Sequence, residues 1–293
     1  MAKAQPKPKP ELLRVAVAQM EPRLFEKKHN LDRAGELLRT ASHRGTKLVV
    51  LPECAITGYV FASREEAMPM AEPIPGPSTD ALGRLCAELD LHAVFGLLET
   101  DGEHLYNAAA LIGPQGLIGS YRKVHLPFLG VDRFVDRGSG PFQVHETTLG
   151  KIGLLICYDV TFPEASRALA LGGAEIIALP TNWPSGRDKV PAFVINSRAL
   201  ENRVHFLASN RVGTERGFTF IGKSKIADAT GETLACADSF EELLYADLDL
   251  EQARTKTSIF IPGQFELHLF EDRRPELYGA LAQPLREPVS MSR

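Results

Sequence analysis

Short apolar runs alternate with segments of helical periodicity along most of this chain. Leu12 to Gln19 alternates apolar and polar positions as a strand does. Asn30 to His43 places Leu31, Ala34, Leu37 and Leu38 on one helical face, and Gly45 supplies a C-terminal stop. Leu48-Val49-Val50-Leu51 reads as a buried strand ending in Pro52-Glu53. Thr79 to Asp90 is a second amphipathic helix, and His92 to Glu99 and Tyr106 to Ile112 are strands. The turn Pro114-Gln115-Gly116 returns Leu117 to Tyr121 as a hairpin partner.

The same grammar then recurs. Lys151 to Ile156 predicts a strand, Glu164 to Leu171 a helix, and Ile176 to Leu179 a strand ending in Pro180-Thr181-Asn182. The phrase Gly45-Thr46-Lys47-Leu48-Val49-Val50-Leu51-Pro52 is echoed by Gly173-Ala174-Glu175-Ile176-Ile177-Ala178-Leu179-Pro180, which suggests two related halves. Ala192 to Arg203 predicts a helix, and Phe206 to Asn210, Lys223 to Asp228 and Leu243 to Leu248 predict strands. Strands alternating with helices, without a linker between the halves, predict a single α/β domain. The segment 251–293 carries Pro262, Gly263, Pro275 and Pro284 and reads as an extended arm, whose Phe265, Leu267, Leu269 and Phe270 suit packing on a neighbouring subunit.

Composition narrows the function classes. Of 293 residues, 44% are hydrophobic and 24% charged, an ordinary globular balance. A formal net charge of −4, with no basic stripe interleaved with aromatics, gives no reason to expect nucleic acid. No apolar run reaches membrane length. Residues 1–10 alternate Lys and Pro without the apolar stretch of a signal peptide and read as a disordered leader. A cytoplasmic location is therefore expected. The four cysteines, Cys54, Cys86, Cys157 and Cys236, form no C-x-x-C pair, so free thiols and no metal are expected.

Three residues stand out by position. Glu53, Lys123 and Cys157 each follow a predicted strand, and strand C-terminal ends of α/β folds converge on one crevice. Cys157 lies on the turn before a helix opened by Pro163-Glu164, where an exposed thiol near helix-end N–H groups is expected. Charge assigns the division of labour. Glu53 takes the thiol proton, the sulfur attacks a carbonyl or carbamoyl carbon, and Lys123 with the Tyr158 backbone N–H faces the oxyanion. Taken singly, Glu53 could cap a turn and Lys123 could be a surface charge.

The phrases Leu51-Pro52-Glu53, Tyr121-Arg122-Lys123-Val124-His125-Leu126-Pro127 and Ile156-Cys157-Tyr158-Asp159-Val160-Thr161-Phe162-Pro163-Glu164 resemble the three signatures of the nitrilase superfamily of carbon–nitrogen hydrolases. Further matches extend the resemblance over roughly residues 12–250. It implies Glu53 as base, Lys123 as oxyanion stabiliser and Cys157 as nucleophile. It also implies a four-layer α-β-β-α sandwich over residues 11–250, no cofactor, and a homodimer or larger homo-oligomer. Many family amidases carry a second glutamate between the lysine and cysteine motifs. Here the best match is Asp132, which could equally pair with Arg133 or Arg137 on a loop.

Nitrile-hydrolysing members usually show Cys-Trp-Glu at the nucleophile. Cys157-Tyr158-Asp159 resembles the amidase and carbamoylase branches instead. Tyr59, Phe128, Tyr158, Asn182 and Trp183 are the candidate lining of a substrate pocket, each with a core role as its alternative. The expectation is hydrolysis of a small linear amide or carbamoyl compound. The alternatives are a nitrilase and a catalytically silent scaffold.

Overall fold

In the computed structural model, which describes residues 12–284, the apolar runs pair into two six-stranded sheets. The first half contains β1 (Leu13–Gln19), α1 (Lys27–Ser42), β2 (Leu48–Val50), the short α2 (Arg64–Ala67), α3 (Pro77–Leu89), β3 (His92–Thr100), β4 (Leu105–Gly113) and β5 (Gly116–Arg122). The second contains β6 (Val144–Thr147), β7 (Gly150–Leu154), α4 (Pro163–Leu171), β8 (Ile176–Thr181), α5 (Ile195–Asn202) and β9 (His205–Asn210). There follow a small hairpin of β10 (Thr214–Glu215) and β11 (Phe218–Thr219), then β12 (Lys225–Ala227), β13 (Thr233–Cys236), β14 (Glu242–Leu248) and α6 (Leu250–Arg254).

The two sheets repeat one topology. The first runs β5-β4-β3-β2-β1-β14 and the second β13-β12-β9-β8-β7-β6. In both, two antiparallel pairings are followed by two parallel ones and a final antiparallel edge. In this correspondence β2 matches β8, so the two Leu-Pro phrases occupy equivalent strand ends. The echo in the sequence is a structural repeat.

Layering explains the unbroken apolar strands. Ala34, Leu37, Leu38 and Ala41 of α1, with Leu82, Leu85 and Cys86 of α3, pack with Ala16, Ala18, Val49, Leu51, Ala93 and Phe95 of the first sheet. The alternate residues Val15, Val17, Leu48, Val50 and Val94 are also fully buried, and β1 and β2 approach β8 and β9 of the second sheet. Strands covered on both faces select apolar residues at every position. Truncating one such side chain, Leu38→Ala, would cost roughly 2–5 kcal/mol. Helices α4 and α5 cover the second sheet, where Leu169 sits over Gly153. The result is the expected α-β-β-α sandwich.

Residues 255–284 form a separate unit. This segment, expected to be an extended arm, contains a hairpin of β15 (Thr257–Ile261) and β16 (Phe265–His268), with stacked Phe260 and Phe265, followed by short helical turns. The hairpin reconciles Pro262 and Gly263 with strands, because both fall in its turn. The predicted leader, residues 1–10, lies outside the described residues.

Candidate active site

Glu53 follows β2 on a sharp turn in which Cys54 adopts φ +48°. Gly96 on neighbouring β3 permits that turn. A Cβ there would lie 2.4 Å from the Cys54 nitrogen and 2.6 Å from the Glu53 Cα. Lys123 leaves β5 with its backbone N–H bonded to the Asn107 carbonyl at 2.8 Å. Asp132 sits in the helical turn Gly130–Arg133, and Cys157 opens another, Cys157–Thr161.

These elements bring Glu53, Lys123 and Asp132 into one buried array. Lys123 Nζ donates to Glu53 Oε1 and to Asp132 Oδ2, each at 2.6 Å, and all three side chains are fully shielded from solvent. Asn107 Nδ2 bridges the same two acids, at 2.7 Å to Glu53 Oε1 and 2.8 Å to Asp132 Oδ1. The Tyr59 hydroxyl donates to Asp132 Oδ2 at 2.8 Å. Asp132 therefore pairs with Lys123, and not with Arg133 or Arg137.

Burial governs the electrostatics. It raises Glu53 above the ordinary carboxylate range; the Lys123 charge opposes this and the Asp132 charge adds to it. Burial pulls the Lys123 ammonium down, but Asp132 and then Glu53 outweigh it and hold Lys123 well above its ordinary value.

Cys157 departs from the expected exposed thiolate. It is only 7% exposed, and its turn is separate from α4, which begins at Pro163. Burial, reinforced by the Glu53 charge, pushes the thiol up to about 12. Lys123, the Thr181 side chain and the Asn182 backbone N–H lie near enough to oppose the shift. The resting site thus holds a neutral thiol close to the Glu53 carboxyl group. The Cys157 backbone φ of +45° is unusual for a residue with a Cβ, a conformation that holds the sulfur at the strand end.

The remaining candidates separate by position. Asn182 and Trp183 follow β8 and are buried, and neither the Asn182 amide atoms nor Trp183 Nε1 has a hydrogen-bond partner; nor has Glu53 Oε2. Buried polar atoms are normally bonded, so these orphans, which follow β2 and β8, are open to a hydrogen bond that the protein itself does not supply. Tyr158 is half-buried and edge-on to Phe162 at 5.2 Å. Tyr59 is fully buried behind the acidic pair, with its hydroxyl committed to Asp132 and the Leu129 carbonyl. Phe128 is 68% exposed, with its ring 5.6 Å from the Arg133 guanidinium.

Several residues of the site carried no motif. Asn107 is a lone amide in the apolar strand Leu105-Tyr106-Asn107-Ala108, which was its only signal. Asp159 accepts from Tyr121 OH at 2.9 Å, the Ile156 N–H at 3.0 Å and the His125 N–H at 3.1 Å, tying the cysteine turn to the lysine loop. His125 Nδ1 lies 2.7 Å from the same carboxylate and its ring stacks on Phe162, which gives His125 a structural place. Buried Glu215 accepts from the Tyr59 and Val60 N–H groups at 2.9 and 2.6 Å and pairs with Arg211 at 2.8 Å, bracing the loop after Glu53. Among the described residues, no cluster of His, Cys, Asp or Glu could hold a metal ion.

Comparison with known proteins gives this geometry a context. A family model described as carbon-nitrogen hydrolase matches residues 14–256. A protein of Pyrococcus abyssi named nitrilase is 41% identical over 271 residues, 91% of this chain and 99% of its own length. The N-carbamoylputrescine amidase of Solanum lycopersicum is 35% identical, over 86% of this chain and 89% of its own. Among solved structures, a mutant amidase from Nesterenkonia sp. AN1 has a TM-score of 0.77 at 27% identity, covering 93% of this chain and 98% of that one. Its description records covalent addition of the acetamide moiety of fluoroacetamide at the active-site cysteine.

Proposed function

This chain belongs to the carbon–nitrogen hydrolase family, within the nitrilase superfamily, and from that premise we propose that it cleaves a small linear amide or carbamoyl compound to an acid and ammonia. The observation that carries this reading is the buried Glu53–Lys123–Asp132 array beside Cys157, with Glu53 Oε2 left without a partner.

The chemistry follows from the charges. Glu53 Oε2 takes the Cys157 proton as sulfur forms its bond to the carbonyl carbon, and the C=O electron pair moves to oxygen. Lys123 and backbone N–H groups at the strand ends meet that oxyanion. When the tetrahedral species collapses, the C–N bond breaks and Glu53 returns its proton to the departing nitrogen. An acyl-thioester remains. Glu53 then takes a proton from water as the hydroxyl oxygen attacks the thioester, and collapse releases the acid and restores the Cys157 thiol. Asp132 has a specific place in this cycle. Each time Glu53 is protonated it stops neutralising Lys123, and Asp132 remains as the ammonium's counter-charge. Asn182 and Trp183, with unbonded polar atoms at the strand end, supply hydrogen bonds to the substrate.

A second reading, nitrile hydrolysis, is favoured by the relative from Pyrococcus abyssi that bears the name nitrilase. Ammonia release from matched amides, carbamoyl amines and nitriles separates the two. Faster nitrile turnover would reverse the assignment. Cys157→Ala is expected to abolish release and leave thermal melting intact, and residual turnover in that variant would remove Cys157 from the mechanism. A homo-oligomer accords with the apolar exposure of Phe193 and Leu200 about α5 and of Ile259 and Phe260 in the hairpin. A monomer by light scattering would refute it.

A further inference from the structure

We propose that Asn107 is a positioning residue that reserves one oxygen of Glu53, Oε2, for proton transfer while holding the Glu53 and Asp132 carboxylates at a fixed spacing around Lys123. This rests on the reading of Glu53 as the base for Cys157.

A carboxylate has two equivalent oxygens, and either could serve as base. Here they are made unequal. Glu53 Oε1 accepts from Lys123 at 2.6 Å and from Asn107 at 2.7 Å, while Oε2 is buried and accepts from nothing. Lys123 alone could not enforce that difference. Its ammonium is a three-donor rotor at the end of a flexible stem and follows whichever oxygen turns toward it. The planar amide of Asn107 is different, because its two N–H vectors are fixed relative to each other. One reaches Glu53 and the other reaches Asp132 Oδ1 at 2.8 Å. A single rigid group therefore sets both carboxylates.

Asn107 is itself held in one orientation. Its backbone is clamped in β4, opposite Leu98 on β3 and bonded to the Lys123 N–H on the other side. Its side-chain oxygen faces the Cys54 thiol, with Sγ 3.7 Å from Oδ1. A flip of the amide would aim that oxygen at two carboxylate oxygens and its N–H groups at sulfur, so the observed sense is strongly preferred. Cys54 is fully buried, and the Glu53 and Asp132 charges reinforce burial in keeping its thiol protonated, as a donor to Asn107 must be.

The test reads proton removal from Cys157 without turnover. Iodoacetamide modification of Cys157, followed at that peptide by mass spectrometry across pH, reports how readily Glu53 takes the thiol proton. The hydrogen bond from Asn107 is one of the contributions that lower Glu53. In Asn107→Leu its loss is expected to move the rise in alkylation rate to higher pH, by about one pH unit. Asn107→Asp, of the same size, replaces the donor with a third carboxylate, and it is expected to shift the rise in the same direction and further. Should Asn107→Leu fail to fold by thermal melting, Asn107→Asp carries the test. A folded variant with the wild-type profile overturns the proposal. Glu53→Gln, run alongside, separates the two readings: if it leaves alkylation unchanged, Glu53 is not the base. If it suppresses alkylation while both Asn107 variants match wild type, only the positioning role falls.

Discussion

Replacing Asp132 by Asn changes one charge and almost no volume. The Asp132 carboxylate accepts three hydrogen bonds, from Lys123 and Tyr59 at Oδ2 and from Asn107 at Oδ1. All three partners are donors. An amide offers one acceptor atom, so its own NH2 must confront either Asn107 or the Lys123–Tyr59 pair. Lys123 also loses one of its two counter-charges in a place without solvent. Breaking a buried ion pair by removing one partner costs about 3–5 kcal/mol. At roughly 2–4 °C per kcal/mol for a domain of this order, the melting temperature should fall by about 6–20 °C. The kinetic consequence has a definite sign. Burial is the main force that raises Glu53, and the Asp132 charge adds to it. Without that charge Glu53 ionises at lower pH, so the acidic limb of the kcat/KM profile should move down. Calorimetry and a pH–rate profile measured on one preparation check both. A melting temperature within a degree or two of wild type, with an unmoved acidic limb, would refute the placement of Asp132 in the charged array.

Three further outcomes are expected. Gly96→Ala drives a Cβ into the backbone of Glu53 and Cys54; turnover should fall about 100-fold, as for a displacement of about 1 Å in a catalytic group, while Gly140→Ala, with open space around it, should match wild type in steady-state kinetics. Asp159→Ala removes the acceptor shared by Tyr121, His125 and Ile156, and chemical denaturation should show a loss of about 2–4 kcal/mol together with reduced kcat, whereas an unchanged midpoint would detach this carboxylate from the cysteine turn. Glu215→Gln keeps the shape but weakens the buried pair with Arg211, so stability should drop by about 2 kcal/mol or more in urea, and an unaltered midpoint would mean that the pair does not brace the loop.

What could be read from the sequence follows from how local each signal is. β2 and β8 are runs of apolar residues closed by Leu-Pro, and such runs declare themselves because both faces are buried. β6, Val144-His145-Glu146-Thr147, pairs only with β7 at a sheet edge and is part exposed, so it has neither an apolar run nor a clean alternation, and it was not anticipated. The charged residues of the site were legible as short phrases. Asn107 was not, because its partners stand 54 and 25 residues away and nothing nearby in the chain requires an amide. The burial of Cys157 was missed for a related reason. A strand–turn–helix phrase places a thiol at a strand end, but the groups near it, Glu53, Lys123, Thr181 and Asn182, come from the ends of β2, β5 and β8.

The pairing of β1 with β14 has a consequence for how the protein is made. In that pairing Leu13 lies opposite Leu248 and Gln19 opposite Glu242, so one edge of the first sheet is completed by the last strand of the domain. During synthesis β1 emerges early and then waits for more than two hundred residues of chain before its partner arrives. Until then its free N–H and C=O groups form an open edge on an apolar strand, a template for pairing with another nascent chain. A ribosome that stalls or terminates before Glu242 would release a product carrying Glu53, Lys123 and Cys157 yet prone to aggregate. The native register thus acts as a completion check, protecting the first strand only once the domain has been fully translated.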